Sequence, residues 1–168
     1  MISTTHERSN GFPIFGYETN KYFLLDLDAQ VSLEEVRKIA YEIGDRYRLG
    51  NCLVVRSSTA KQFMLDLERL QNYNLIYGKE ISWSYQMKVL KELKKSGKIG
   101  DVRYIRFRNQ EKTATLRVSP KHESKPTGTP VAFIEITGEN SGIREYLLML
   151  NIGRTVEQML RADGLLKS

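Results

Sequence analysis

The sequence predicts an α+β fold in the order βαββαβββα, with a mainly antiparallel sheet and helices on one of its faces, similar to an RNA-recognition-like or palm-like core. Three observations predict it: apolar runs of strand length, two amphipathic stretches at residues 33–47 and 82–96, and short polar turns between neighbouring strands. We expect residues 1–20 to be a flexible or irregular segment and residues 21–168 to be a single domain. A chain of 168 residues with 40% hydrophobic side chains can bury one core.

The first predicted elements are a strand and a helix. Residues 22–28 (YFLLDLD) are aromatic and apolar and then acidic, which is typical of a buried strand that ends at a polar site. Ser32 and Glu35 have the spacing of a capping box, in which the serine oxygen accepts a backbone N–H and the glutamate reaches back. A helix over residues 33–47 is therefore expected.

The remaining elements alternate between hairpins and helices. Residues 52–56 are a short β-branched run, and residues 62–67 alternate in polarity, so the two are predicted to form an antiparallel hairpin. A lysine-rich helix follows over residues 82–96. Three further strands are predicted at residues 102–108, 114–119 and 131–137. Asn140 or Ser141 can cap a final helix, which Gly153 is expected to interrupt.

Several protein classes are excluded by composition. One cysteine and two histidines are too few for a disulfide framework or an ordinary structural zinc site. No apolar run approaches the roughly 18 to 20 residues that span a bilayer, and the polar start lacks the apolar core of a secretory signal. We therefore expect an intracellular, cytoplasmic protein without membrane contact.

Positive charge is concentrated in the middle of the chain. The whole protein has a formal net charge of +6. Residues 88–125 hold twelve Lys and Arg side chains against four Asp and Glu, a local charge of +8, so the flanks are nearly neutral. Such a segment attracts phosphates by releasing their counterions. Nucleic acid is the expected partner, although the helical lysines are equally consistent with an ordinary solvated helix face.

Asp26 and Asp28 are the first candidates for chemistry. Side chains at positions i and i+2 of a strand point to the same face, so both carboxylates would be within reach of one divalent cation. Mg²⁺ or Mn²⁺ is the expected ion, and phosphoryl transfer is the expected use. The alternative is that both aspartates simply end the strand in solvent while Leu25 and Leu27 face the core.

Two later stretches contain the other groups that a nucleotide site needs. Hydroxyls and turn amides can hold phosphates, arginines can clamp a triphosphate, and a third carboxylate can complete a metal site. The candidate phosphate-binding residues are Ser57, Ser58, Lys61, Arg106, Arg117 and Lys121, the third carboxylate is Asp101, and the candidates for strand binding are Arg103, Arg108, Lys94 and Lys95.

In this order the motifs resemble those of the archaeo-eukaryotic primase, or primase-polymerase, superfamily. Asp26 and Asp28 are similar to its acidic first motif, the turn at residues 57–61 to its second, and Asp101 with the basic stretch after it to its third. The resemblance covers roughly residues 21–137 and implies a metal-dependent nucleotidyltransferase, such as a DNA primase of archaeal, plasmid or viral replication. It also implies a single-stranded template, nucleoside triphosphates, and a helicase or another replication protein as partners.

One departure from the family pattern concerns catalysis. Where the second motif of the family has a histidine, this sequence has Met64, whose thioether cannot donate a hydrogen bond to a phosphate. In the family that histidine contacts the incoming nucleotide. The sequence therefore leaves an active enzyme in which Lys61 or Arg106 holds the phosphates, or an inactive nucleic-acid-binding module that is either a degenerate primase relative or an unrelated RNA-recognition-like domain. A third alternative, independent of Met64, is a scaffold whose lysine-rich helix meets an acidic protein.

Overall fold

The computed structural model describes residues 2–9, 12–56, 71–97, 111–118 and 128–164. It is an α+β fold, as the sequence predicts. Its strands are β1 (Ile2–Ser9), β2 (Phe12–Thr19), β3 (Tyr22–Val31), β4 (Cys52–Arg56), β5 (Gln71–Glu80), β6 (Ala114–Arg117) and β7 (Thr129–Ile134), and its helices are α1 (Leu33–Arg46), α2 (Trp83–Lys95) and α3 (Ser141–Ala162). None of these helices is long and apolar enough to cross a membrane.

The strands form two antiparallel sheets rather than the one that was expected. β3, β5, β4 and β7 make a four-stranded sheet in that order, and β1, β2 and β6 make a three-stranded sheet. The first 20 residues, expected to be an irregular segment, instead contribute β1 and β2. Their partner β6 is distant in sequence, so a local pattern could not predict the pairing.

β4 pairs with a strand that the sequence did not predict. The expected hairpin partner, residues 62–67, lies outside the described residues, as does the predicted strand at residues 102–108. β5 lies on one edge of β4 and β7 on the other, so residues 52–56 have no edge left for a further strand. β4 therefore pairs with β5 and β7, each across a longer connection than that of the expected hairpin.

Both faces of the four-stranded sheet are covered, whereas helices were expected on one face only. Phe23, Leu25 and Leu27 point to the face that packs on α1 and α2. Leu24 and its neighbours on β4 and β5 point to the opposite face, which packs on α3 and on the three-stranded sheet. The open face on which a ligand site was expected is therefore largely filled with side chains.

Local chemistry explains the helix boundaries. The Oγ of Ser32 accepts the backbone N–H of Glu35 at 3.2 Å, which confirms the predicted cap of α1. The Oγ of Ser82 accepts the N–H of Tyr85 in the same way at the start of α2. α3 runs unbroken through Gly153, contrary to the expected interruption. A side chain at Gly153 would collide with the carbonyl oxygen of Val118, so the glycine allows α3 to approach β6 closely.

Candidate functional site

Asp26 lies on β3 directly opposite Asn74 on β5. The two are antiparallel partners in register, and such partners have their Cβ atoms about 4.5–5.5 Å apart on one face of the sheet. Leu24 precedes Asp26 on that face and is fully buried, whereas the Asp26 side chain is exposed. β3 therefore passes from the core into a polar corner between Leu24 and Asp26, as its apolar-then-acidic sequence predicted.

Asn74 and Asn72 give this corner an unusual feature. The Oδ1 atom of each is buried without a hydrogen-bond partner, and only 9% of Asn74 is exposed. Residues i and i+2 of a strand share a face, so both asparagines belong to the face of Asp26. A buried acceptor without a donor costs about 1–3 kcal/mol. A ligand that offers a hydrogen-bond donor or a positive charge to these oxygen atoms would offset this cost.

The side-chain oxygen atoms of this Asp26–Asn74 corner are of the type that divalent cations bind. Carboxylate and amide oxygens are the ligands that Mg²⁺ and Mn²⁺ prefer, and Mg²⁺ usually keeps several waters beside one or two protein ligands. Among the described residues no group of three or more His, Cys, Asp or Glu is close enough to hold a metal. The backbone of Asp28 continues β3, while its side chain and the whole of Asp101 lie outside the described residues.

Arg117 is the one predicted phosphate-binding residue whose surroundings are described. It ends β6 and is half-buried, and this burial lowers its pKa while Tyr146 and Glu157 on α3 favour its charged form. The structure therefore places Arg117 against α3 rather than in open solvent. The remaining candidates lie outside the described residues: Ser57, Ser58, Lys61, Arg103, Arg106, Arg108 and Lys121.

The lysines of α2 form a basic surface, here called the lysine surface, which consists of Lys88, Lys91, Lys94 and Lys95. All four are exposed, and none takes part in an ion pair with another described residue. The opposite side of α2 carries buried apolar residues that pack on the sheet face of Leu25. Asp26 belongs to the other sheet face, so the structure does not bring Lys94 and Lys95 to the Asp26–Asn74 corner.

A cavity of about 330 Å³ lies between α1 and α2. It is lined by Tyr41, Glu42, Ile43, Asp45, Arg46 and Tyr47 of α1 and the turn after it, and by Leu93 and Ser96 of α2 and its cap. The guanidinium of Arg46 lies 5.4 Å from the centroid of the Tyr47 ring. Burial raises the pKa of the Tyr47 phenol, and a hydrogen bond with Glu92 raises it further.

Neither Asn74 nor this α1–α2 cavity was predicted from the sequence. Asn74 sits in a strand that was not predicted, and nothing in a single sequence shows that an amide oxygen lacks a donor. Tyr41 carried a weak signal, because it lies on α1 outside the apolar stripe that Val36, Ala40 and Ile43 form. A single exposed aromatic side chain is common on protein surfaces, so the sequence position of Tyr41 does not by itself predict a binding site.

Comparisons with protein-family models, with curated proteins and with solved structures find no match to this chain.

Proposed function

We propose that this protein is a metal-dependent nucleotidyltransferase of primase-polymerase type that acts on nucleic acid. The observation that supports the proposal is the buried, unpartnered amide oxygen of Asn74 beside the exposed carboxylate of Asp26. An amide oxygen and a carboxylate both favour a hard cation, and this corner lies at the first of the three sequence motifs. Mg²⁺ or Mn²⁺ is the proposed ion, with Asp28 and Asp101 as further ligands.

The proposed reaction joins a nucleotide to a primer hydroxyl or to an initiating nucleotide. The hydroxyl oxygen loses its proton to water and attacks the α-phosphate of a nucleoside triphosphate, the bond from the α-phosphorus to the bridging oxygen breaks, and that oxygen leaves with pyrophosphate. A cation at Asp26 would polarise the α-phosphate and stabilise the charge of the leaving group. Ser57, Ser58, Lys61 and Arg106 are the proposed phosphate contacts, a role in which Lys61 or Arg106 would compensate for Met64.

Asp26→Ala tests the proposal directly. We expect the variant to lose roughly a hundredfold or more in template-dependent nucleotide incorporation, because the cation loses a charged ligand. Mn²⁺ binding to the full chain, followed by electron paramagnetic resonance, should weaken in parallel. Asp163→Ala, which removes an exposed carboxylate after α3, is the matched control and should match the wild type. Unchanged incorporation by Asp26→Ala would remove Asp26 from the proposed site.

The lysine surface favours a second candidate function, a nucleic-acid-binding module without catalysis. Its four exposed lysines lie on the opposite side of the sheet from Asp26 and need no metal to bind phosphates. Each phosphate contact contributes a slope of about −0.7 to the logarithmic salt dependence of single-strand binding. Replacing Lys88, Lys91 and Lys95 by alanine should therefore reduce that slope by about 2.

Two measurements separate the candidates. A module without catalysis would bind single-stranded DNA or RNA equally well with EDTA and with Mg²⁺, and would incorporate no nucleotide from any mixture. Arg144→Ala, an exposed cation on α3, is the control for the lysine variants and should leave the salt slope unchanged. Undetectable binding at low salt would instead indicate an acidic protein as the partner of the lysine surface.

A further inference from the structure

The α1–α2 cavity exposes aromatic surface beside the lysine surface. Tyr41 is 49% exposed although it is a large aromatic side chain, and its ring lines the cavity. Tyr47 lies in the same wall and is covered by Arg46. Bases stack on aromatic rings whatever their identity, because every base has a π face. Ser96 in the opposite wall follows directly on Lys95, so the cavity and the lysine surface adjoin.

The polar groups of the cavity select what can enter it. Asp45 and Glu42 contribute two carboxylates, which repel phosphate and accept hydrogen bonds. Adenine, cytosine and guanine carry exocyclic amino groups that donate to a carboxylate, whereas thymine and uracil carry no amino group and offer only their ring N3–H. A volume of about 330 Å³ is near the lower end of ligand pockets, which span roughly 300–1,000 Å³. The cavity therefore suits one base rather than two.

We propose that the α1–α2 cavity binds one amino-bearing base of a single strand whose phosphates lie on the lysine surface. The base stacks on Tyr41, and its amino group donates to Asp45. This inference rests on the nucleic-acid binding proposed above and adds base preference to it. Tyr41, which is exposed and lies outside the buried side of α1, would thereby have a function.

Tyr41→Ala tests the stacking contact. We measure binding of the full chain to oligo(dC), to oligo(dT) and to an abasic strand of equal length by fluorescence anisotropy. Loss of the ring should weaken oligo(dC) binding roughly fivefold to a hundredfold and leave binding of the abasic strand unchanged. Phe133→Ala is the matched control, because Phe133 is 51% exposed on β7 and lies outside the cavity lining. It should bind all three strands like the wild type.

Asp45→Asn tests the base preference. The wild type should bind oligo(dC) more tightly than oligo(dT), and the variant should lose most of this preference because a neutral amide accepts more weakly than a carboxylate. If the wild type binds single strands but Tyr41→Ala binds oligo(dC) equally well, the cavity inference is wrong and the nucleic-acid binding stands. If the wild type binds no strand even at low salt, both fail. Thermal unfolding of each variant checks that it is folded.

Discussion

The two ends of the four-stranded sheet each hold a buried asparagine, with opposite results. At one end, the Oδ1 of Asn51 accepts the backbone N–H groups of Ile136, Thr137 and Gly138 at 2.6, 3.1 and 3.0 Å. At the other end, the Oδ1 of Asn74 accepts none. The two residues are 2% and 9% exposed, so burial does not distinguish them. The difference teaches that the supply of donors, and not the degree of burial, separates an asparagine whose oxygen is satisfied by the fold from one whose oxygen is not.

Backbone packing around Asn51 leaves no space for a ligand. Its N–H donates to the carbonyl of Glu139 at 3.1 Å, and its own carbonyl accepts from Gly78 at 2.9 Å. A side chain at Gly78 would collide with the carbonyl of Glu139, so only glycine permits this approach. Function is therefore expected at the Asn74 end, where oxygen atoms lack donors, and stability at the Asn51 end.

The largest expected effect separates the two asparagines by stability. Asn51→Ala leaves three backbone donors without an acceptor and should lower the free energy of unfolding by about 3 kcal/mol or more. Asn74→Ala should stay within about 1 kcal/mol of the wild type, because its oxygen accepts nothing. Urea unfolding measures both, and Asn51→Asp, which keeps the acceptor but loses the Nδ2 that donates to Asn140 Oδ1 at 2.8 Å, should fall between them. Equal losses in the two alanine variants would contradict the comparison.

The next effect is stabilisation by a cation at the Asn74 end. Mn²⁺ at one hundred times its Kd should raise the free energy of unfolding by about 2.7 kcal/mol if only the folded chain binds it. Asp26→Ala should lose this gain, and Asn51→Asp should keep it because the two ends are independent. Thermal unfolding with Mn²⁺ and with EDTA gives both values. A gain that persists in Asp26→Ala would place the cation elsewhere.

A smaller effect is expected when Asn74 is replaced by aspartate, which places a second carboxylate opposite that of Asp26. Asn74→Asp sets two like charges opposite each other across the strands and should destabilise the cation-free protein by about 1 kcal/mol. The same charge should tighten Mn²⁺ binding by roughly tenfold, since a carboxylate replaces a neutral ligand. Calorimetric titration measures the affinity. Weaker Mn²⁺ binding by this variant would exclude Asn74 as a neighbour of the ion.

The smallest effect concerns alkaline pH. Tyr77, near the Asn51 end, is fully buried and donates to the carbonyl of Ala40 at 2.9 Å. Burial is the main cause that raises the pKa of Tyr77 well above 10, and the neighbouring Cys52 raises it further. Burial also raises the pKa of Tyr73, at the Asn74 end, where Arg56 acts in the opposite direction. In both tyrosines, folding favours the neutral phenol. Their contribution to the free energy of unfolding is therefore fully present below pH 10 and decreases as the pH rises above 10.

Matched phenylalanine variants measure this difference. Tyr77→Phe should remove more of the alkaline loss than Tyr73→Phe, and the loss from one tyrosine is at most about 1.4 kcal/mol for each pH unit above 10. Urea unfolding between pH 8 and pH 11, together with tyrosinate absorbance, provides the readout. Tyr77→Phe also loses one hydrogen bond, but that loss is independent of pH and leaves the slope interpretable. Identical slopes for the two variants would show that the ends do not differ in this respect.

Sequence patterns predicted the parts of the fold that depend on near neighbours. β3, α1, β4 and α2 follow from apolar periodicity, and α1 also from the cap at Ser32, all of which depend on residues close together in the sequence. β5 was missed because Asn72, Asn74 and Gly78 are residue types that strands disfavour. β1 and β2 were missed because their sheet is completed by a strand remote in sequence.

The residues of the candidate site also differ in whether the sequence alone could predict them. Asp26 was predicted because two aspartates on one strand are visible in the sequence. Asn74 was not, since its role depends on cross-strand register and on a missing donor, and both are properties of the fold. The lysine surface was predicted from composition, but its position opposite Asp26 follows from which face of the sheet α2 covers.

The pairing of Thr19 with Ala114 has a consequence for the order of events during synthesis. The β1–β2 hairpin is synthesised before β6, so the second edge of β2 stays open until the residues between the two strands have been made. Closing a long loop is slow, and an open strand edge is prone to pair with other chains in the meantime. Completion of the three-stranded sheet is therefore expected to be a late step on the ribosome, and the nascent hairpin the segment with the greatest need of a chaperone.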